Sequence, residues 1–469
     1  MKTIQFGTDG WRGVIAGDFT YENVRKVAYA IARYIIRAEK AQSGVIIGYD
    51  TRFNSERFAR VAAEAASMTG TPVWLADSAC PTPAISLLVR QRQAAGGIVI
   101  TASHNPYRWN GMKFKASYGS VASPAIIARI EDEIAKVVRD GRPSLPPRAD
   151  LIQSLDVRTP YLATLEKLVD WDRLRAANFR FMADPMHGAA RGLLCELFSR
   201  HGIACREIRG NRDPLFGGVN PEPIEPHVEA LRQAIRGSGY DAGFCADGDG
   251  DRIGAMDPDG TFINPHQIFS LLLWHLAGAR NLQGGVAKSF STTKMIDKIA
   301  ARFGREVWET PIGFKYICDV LLERDVLIGG EESGGIGTKL HLPERDFAVN
   351  ALLLAEVMAW HGKHLGELIA MLHAEYGEHH YGRVDLELRA GQKEKALAWL
   401  SQDGLSRLLD WPVVRRENLD GTKLYLGDIG WLLARASGTE ALLRVYVETN
   451  QAETTRAILD QVSAAVRVL

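Results

Sequence analysis

Gly97-Ile-Val-Ile-Thr-Ala-Ser-His-Asn-Pro106 is the stretch on which the reading of the chain turns. Its first four residues form a short apolar, β-branched run of the kind that makes a buried strand. Asn105 and Pro106 stop that run and impose a turn. Ser103 is thereby expected at a strand-to-loop exit, where a scaffold presents side chains to a ligand. Most loop serines only cap or solvate backbone. The weight placed on Ser103 therefore rests on an acidic loop, beginning at Asp247, that would bring a cation to it.

That loop reads Asp247-Gly-Asp-Gly-Asp-Arg252. In extended backbone, carboxylates at i, i+2 and i+4 share one side, and the intervening glycines let the loop curl until the oxygens converge. Three such carboxylates repel one another unless a divalent cation neutralises them, and hard oxygen donors suit Mg²⁺ or Ca²⁺ rather than zinc. An EF-hand fails on detail: its sixth position, which needs glycine, holds Arg252, and its twelfth, which needs glutamate, holds Pro258. The preceding Ala242-Gly-Phe-Cys-Ala246 reads as buried, so a solvated acidic turn fits poorly too. Mg²⁺ keeps positions open for phosphate oxygens, which points to phosphoryl transfer.

Outward from these loops, strand and helix alternate. Val45–Gly48, Pro72–Leu75, Phe179–Ala183, Gly285–Phe290 and Val326–Gly330 read as strands. Helices are expected over Tyr21–Ala38, Ser55–Thr69, Ala125–Val138, from Ala190, and through Ala301. Strand, polar turn and helix recur at Tyr49-Asp-Thr-Arg52, Asp184-Pro-Met-His-Gly188 and Ser291-Thr-Thr293, suggesting one α/β plan used three times. From Glu375 the texture changes to paired strands, Trp431–Ala434 and Leu442–Val447, with a helix from Ala452, an α+β unit. The boundaries drawn are 1–150, 151–256, 257–372 and 373–469.

At 469 residues the chain is too long for one ordinary core. Apolar residues make up 46% and charged residues 24%, the balance of a globular protein. With 56 basic and 56 acidic side chains there is no charge bias towards nucleic acid or an anionic membrane, and neither is expected as a partner. The N-terminus lacks the apolar segment of a secretion signal, so a cytoplasmic location is expected. Cys80, Cys195, Cys205, Cys245 and Cys318 have no metal-ligand spacing and read as reduced, buried thiols.

Three further segments carry chemistry. Phe6-Gly-Thr-Asp-Gly-Trp-Arg-Gly13 sets Arg12, a fork for phosphate, among glycines. Glu331-Glu-Ser-Gly-Gly335 offers acceptors suited to a polyol, and otherwise reads as a plain turn. Arg435-Ala-Ser-Gly-Thr-Glu440 gathers donors into a compact anion site between two strands.

Taken together, and in this order, these motifs resemble the α-D-phosphohexomutase family over essentially the whole chain. The resemblance implies three related α/β domains and a fourth, TATA-binding-protein-like α+β domain around a central cleft. It implies interconversion of hexose 1-phosphate and 6-phosphate, of glucose or mannose or both, with Mg²⁺, through a phosphoserine and a hexose 1,6-bisphosphate that serves as intermediate and activator.

Carried over, Ser103 matches the phosphoryl-bearing serine and His104 its neighbour. Asp247, Asp249 and Asp251 match the Mg²⁺ ligands, with the phosphate on Ser103 as another. Arg252 matches the arginine that faces the phosphoserine, and Glu331 and Ser333 the sugar readers. Arg435, Ser437, Gly438 and Thr439 match the clamp for the non-reacting phosphate. Arg12 and Lys113 match phosphate-orienting and proton-transfer groups.

Two positions depart from the pattern. Ala436 stands where the clamp usually has proline, and Gly335 where some members have a histidine proposed as acid/base, leaving that role to Lys113 or Lys315. A phosphoserine-dependent phosphatase and a non-catalytic sugar-phosphate sensor are the rival readings. Sugar phosphates are the expected ligands, and the sequence leaves a homodimer open.

Overall fold

The strand read from the opening stretch forms over Gly96–Ile100, near the middle of a seven-stranded sheet. The computed structural model describes residues 4–6, 9–38, 41–140, 145–389, 391–401, 405–436 and 442–468. In the first sheet Gly96–Ile100 runs parallel to Val45–Tyr49, which is followed outward by Val73–Ala76 and Ile152–Leu155. On its other side lies Trp109–Ala116, antiparallel, and beyond that Trp11–Val14. All five residues of Val45–Tyr49 and of Gly96–Ile100 are buried, as expected of central parallel strands covered on both faces.

The same arrangement occurs twice more. In the second sheet, Ala242–Ala246, Phe181–Asp184 and Cys205–Glu207 are parallel neighbours, and Ile253–Met256 folds back antiparallel on the first of them. In the third, Val326–Gly330, Gly285–Ser289 and Val307–Thr310 are parallel, and Ile336–Thr338 folds back likewise. Each sheet thus contains a four-strand core, beginning at Val45–Tyr49, Phe181–Asp184 and Gly285–Ser289, in which the first three strands in chain order are parallel with the first in the middle and the fourth turns back on the third. The turn from third to fourth strand carries Ser103 in the first sheet, Asp247–Arg252 in the second and Glu331–Gly335 in the third. The repeat read from the sequence is present, and it places all three chemical loops at one topological position.

Sheet membership crosses two of the drawn boundaries. Ile152–Leu155 joins the first sheet from beyond 150, and Phe262–Ile263 joins the second from beyond 256. The fourth unit is α+β: a five-stranded antiparallel sheet in the order His380–Glu387, Leu442–Thr449, Gly430–Ala436, Thr422–Tyr425, Arg415–Glu417, with the closing helix Ala452–Val468. The three α/β layers share one continuous apolar cluster. The last unit has its own, joined to the third layer by Phe290, Ile312, Tyr425, Trp431, Leu433 and Tyr446.

One reading is corrected. Cys195, on the helix Leu193–Arg200, and Cys205, on the strand Cys205–Glu207, are half-buried and joined by a disulfide. Ten residues are enough for the chain to turn from helix to adjacent strand and bring the two Cα atoms to 5.0 Å, a juxtaposition that spacing alone does not announce. Cys80, Cys245 and Cys318 are free and buried, as expected. Among the described residues no helix is long and apolar enough to cross a membrane.

Candidate active site

Ser103 is buried and sits in the left-handed backbone region, φ +52°, a conformation disfavoured for a side-chain-bearing residue and held here by its surroundings. Its backbone N–H donates to Thr101 Oγ1 at 2.9 Å. The guanidinium of Arg52, fully buried at the exit of Val45–Tyr49, donates to four carbonyls of the loop: Ser103 and Asn105 through one terminal nitrogen, Pro106 and Trp109 through the other. Asp50 accepts the backbone N–H of Arg52 and stands 3.1 Å from its Nε. This pin escaped the sequence reading, where Tyr49-Asp-Thr-Arg52 registers only as the end of a strand.

The serine hydroxyl donates to Asp247 Oδ2 at 2.8 Å. The other oxygen of Asp247 accepts the backbone N–H groups of Asp251 and Arg252, which curls the acidic loop on itself. Gly248 is where the two loops meet: a Cβ there would lie 2.5 Å from the Ser103 carbonyl oxygen. Asp247, Asp249 and Asp251 are all buried, and one oxygen from each lies within 4.8 Å of the others.

These carboxylates have counter-charges. Lys113 Nζ donates to Asp249 Oδ2 at 2.8 Å and Asp251 Oδ2 at 3.0 Å, and stands 3.0 Å from Asp9. Arg345 Nη2 lies 2.8 Å from Asp251 and 2.6 Å from Asp9. Thr82 donates its hydroxyl to Asp249. Asp249 Oδ1 and Asp251 Oδ1 nevertheless remain buried without a hydrogen-bond partner. Burial and then the charges of Asp249 and Asp251 push the Asp247 carboxyl well up. Burial acts the same way on Asp249, but Lys113 outweighs it and holds that carboxyl down. Two unpartnered, converging oxygens beside a third carboxylate are a donor set for a hard divalent cation, so the residues present fit Mg²⁺.

Around this centre, His104 is half-buried, with Nδ1 3.4 Å from Ser103 Oγ. Burial, and then Arg252, Arg12 and Lys113, push its pKa well down, so the ring is neutral. Arg12, on Trp11–Val14, donates to Asn105 Oδ1 at 2.9 Å and so joins the serine loop. Arg252 Nη1 is 3.5 Å from Glu222, and its buried Nε has no hydrogen-bond partner. The sugar-loop candidate abuts the acidic loop, the Ile253 N–H donating to the Gly334 carbonyl at 3.1 Å. Glu331 is buried, 3.6 Å from Arg345, and Ser333 is half-buried in the same turn.

Lys113 is thus inside the cluster, held as an ammonium by three carboxylates. Lys315 is placed otherwise: its ammonium lies over the Tyr316 ring, and no described contact joins it to Ser103 or the aspartates. Arg435 pairs with Asp420 at 2.8 Å, and Asp420 also accepts the Ile312 N–H, tying the last unit to the third layer. Ser437, Gly438 and Thr439 lie outside the described residues.

Sequence reasoning passed over Arg345, Lys115 and Glu344. Lys115 Nζ donates to Glu344 at 2.6 Å, a fully buried pair between the first and third layers. The available signal was Glu344-Arg-Asp346, three charges directly before the apolar helix Phe347–His361. Asp346 caps that helix through the N–H groups of Ala348 and Val349, while Arg345 reaches the cleft carboxylates Asp9 and Asp251 and Glu344 takes Lys115.

The sequence matches the descriptions "Phosphoglucomutase/phosphomannomutase, alpha/beta/alpha domain" I, II and III over residues 3–139, 159–260 and 264–376, and the C-terminal domain of the same family over 413–465. A phosphoglucomutase/phosphomannomutase of Thermococcus kodakarensis is 29% identical over 97% of this chain and 96% of its own length. A phosphoglucosamine mutase of Carboxydothermus hydrogenoformans is 30% identical over 99% of each. Among solved structures, a Thermus thermophilus protein assigned as a phosphomannomutase superposes with a TM-score of 0.88 at 34% identity, covering 99% of both chains. Together with the four-unit architecture and the buried aspartate loop, these matches show that the chain belongs to the phosphoglucomutase/phosphomannomutase family of α-D-phosphohexomutases, enzymes of the isomerase class that shift a phosphoryl group within a sugar phosphate.

Proposed function

We propose that the chain interconverts hexose 1-phosphate and hexose 6-phosphate, of glucose, mannose or both, through a phosphoryl group carried on Ser103. The observation that carries this reading is the 2.8 Å contact between Ser103 Oγ and Asp247, beside the unpartnered oxygens of Asp249 and Asp251.

Phosphoryl transfer needs positioning and charge neutralisation more than covalent assistance. A phosphoserine brings about −1.5 to −2 charges into the cleft, and Arg252, Arg12 and neutral His104 face it. Bound at Asp247, Asp249 and Asp251, Mg²⁺ would supply charge neutralisation for the phosphate oxygens. In the first half-reaction the Ser103 Oγ–P bond breaks as the free hydroxyl of the hexose monophosphate bonds to phosphorus, and the proton of that hydroxyl ends on Ser103 Oγ. The bisphosphate then turns over, and its other phosphoryl group returns to Ser103.

Lys113, kept charged by its carboxylates, acts as a hydrogen-bond donor in this arrangement rather than as a base. Glu331 and Ser333 accept and donate to sugar hydroxyls in both poses. Arg435 receives the distal phosphate on exchanging its bond to Asp420. The separate core of the last unit allows it to rotate onto the cleft and exclude water.

The test is a coupled assay of glucose, mannose, glucosamine and N-acetylglucosamine phosphates with bisphosphate activator. Wild type should act on glucose or mannose phosphate and carry phosphate on Ser103 by mass spectrometry. Ser103→Ala should have no turnover. Wild-type turnover in Ser103→Ala would remove the covalent scheme, and release of inorganic phosphate in place of isomer would make the protein a phosphatase.

A further inference from the structure

Arg345 stands where three layers meet. It belongs to the third layer, and it reaches Asp9 of the first, Asp251 of the second and Glu331 of its own chemical loop, at 2.6, 2.8 and 3.6 Å. It is 4% exposed. Its guanidinium lies 5.2 Å from the centre of the Phe314 ring, and its Nε has no hydrogen-bond partner. A planar fork can hold several carboxylates in a fixed mutual geometry, which a point charge on a flexible stem cannot.

The loop it serves is shaped around it. A Cβ at Gly335 would lie 2.4 Å from Arg345 Cδ, 3.1 Å from Arg345 Cγ and 3.1 Å from Glu331 Oε2. The φ of Gly335 is outside the left-handed region, so it is space that requires glycine, first for the arginine stem and then for the Glu331 carboxylate. Gly335 also closes the turn, its carbonyl accepting the Glu331 N–H at 3.0 Å. The position of the Glu331 carboxylate is therefore fixed from two sides, by the turn and by the guanidinium.

From these contacts we infer that Arg345 is the positioning residue of the sugar loop: it locks the Glu331 carboxylate in register with the acidic loop, so that a hexose is read at a fixed distance from the transferring phosphoryl group. This rests on the mutase reading above. Arg345 acts through Glu331, and its loss should appear in sugar recognition before it appears in the transfer step.

Three variants test it. Arg345→Lys keeps the charge but not the fork, and should raise KM for the hexose phosphate by about tenfold while kcat stays within about threefold. Gly335→Ala pushes the arginine stem aside and should raise KM in the same direction. In Arg345→Ala the stem is already gone, so adding Gly335→Ala should cost much less than Gly335→Ala costs alone, and free guanidinium ion should restore part of the lost kcat/KM.

A wild-type KM in Arg345→Lys would overturn the inference, as would losses that multiply in the double variant or a loss in Arg345→Ala that guanidinium leaves untouched. If Arg345→Ala fails to fold, Arg345→Lys and Gly335→Ala decide the matter. A wild-type protein inactive on every hexose phosphate would sink the mutase reading. An active one with an unchanged Arg345→Lys would sink the inference alone.

Discussion

The Nη2 of Arg52 lies 2.6 Å from the carbonyl oxygen of Ser103, so the residue that carries the proposed chemistry is held by its backbone from the neighbouring strand. That bond, with the three others Arg52 makes to the same loop, keeps Ser103 in a backbone conformation it would not choose alone.

Arg52→Lys should therefore lower kcat by more than about tenfold, because one ammonium cannot replace a fork that spans four carbonyls. Arg52→Ala leaves Asp50 buried without its cation and should cost about 3–5 kcal/mol. Steady-state assays and thermal scans check both. An active, stable Arg52→Ala protein would mean that the loop holds itself.

The aspartate cage makes a prediction that needs no substrate. MgCl₂ should raise the melting temperature of EDTA-treated protein, since a ligand that binds only the folded state stabilises it. Asp251→Asn should weaken Mg²⁺ binding by at least about tenfold in calorimetry. Equal affinity in wild type and Asp251→Asn would place the ion elsewhere.

Burial pushes the Glu331 carboxyl from 4.5 up to about 7, with Arg345 pulling against it. The folded chain thus keeps a proton that the unfolded chain releases between these values. The stability this group contributes is complete below pH 4.5 and is lost as the pH rises through 7, on the order of 3 kcal/mol. Glu331→Gln should flatten that part of the stability–pH curve. An identical slope in wild type and variant would show that Glu331 does not titrate there.

The Cys195–Cys205 disulfide predicts a count. Titration of denatured protein should give three thiols before reductant and five after it. Reduction should destabilise the second layer by about 3 kcal/mol, the chain-entropy value for so short a loop. Five thiols in unreduced protein would remove the bridge.

Much of this was legible in the sequence, because the strands that carry the loops are continuous apolar runs and the loops are short and chemically dense. Val326–Gly330 forms as read, Val45–Tyr49 runs one residue past its reading, and Ala242–Ala246, read as buried, is a buried strand. What stayed hidden depends on partners far along the chain. Lys115, two residues past the Lys113 singled out in the sequence, sits in an alternating polar–apolar run, yet it is buried against Glu344 of the third layer. Arg345 and Arg52 look like ordinary punctuation at the end of a loop and of a strand. Only docking reveals what each of them grips.

The three equivalent turns have one more consequence. The proposed nucleophile, the proposed cation cage and the proposed carbohydrate reader ride on separate sheets, so no single layer holds the whole of the proposed centre. On that reading a chain cut short before Arg345 lacks the guanidinium that stands beside Asp9, Asp251 and Glu331, and should show no turnover. Docking of all three layers then becomes the condition for turnover.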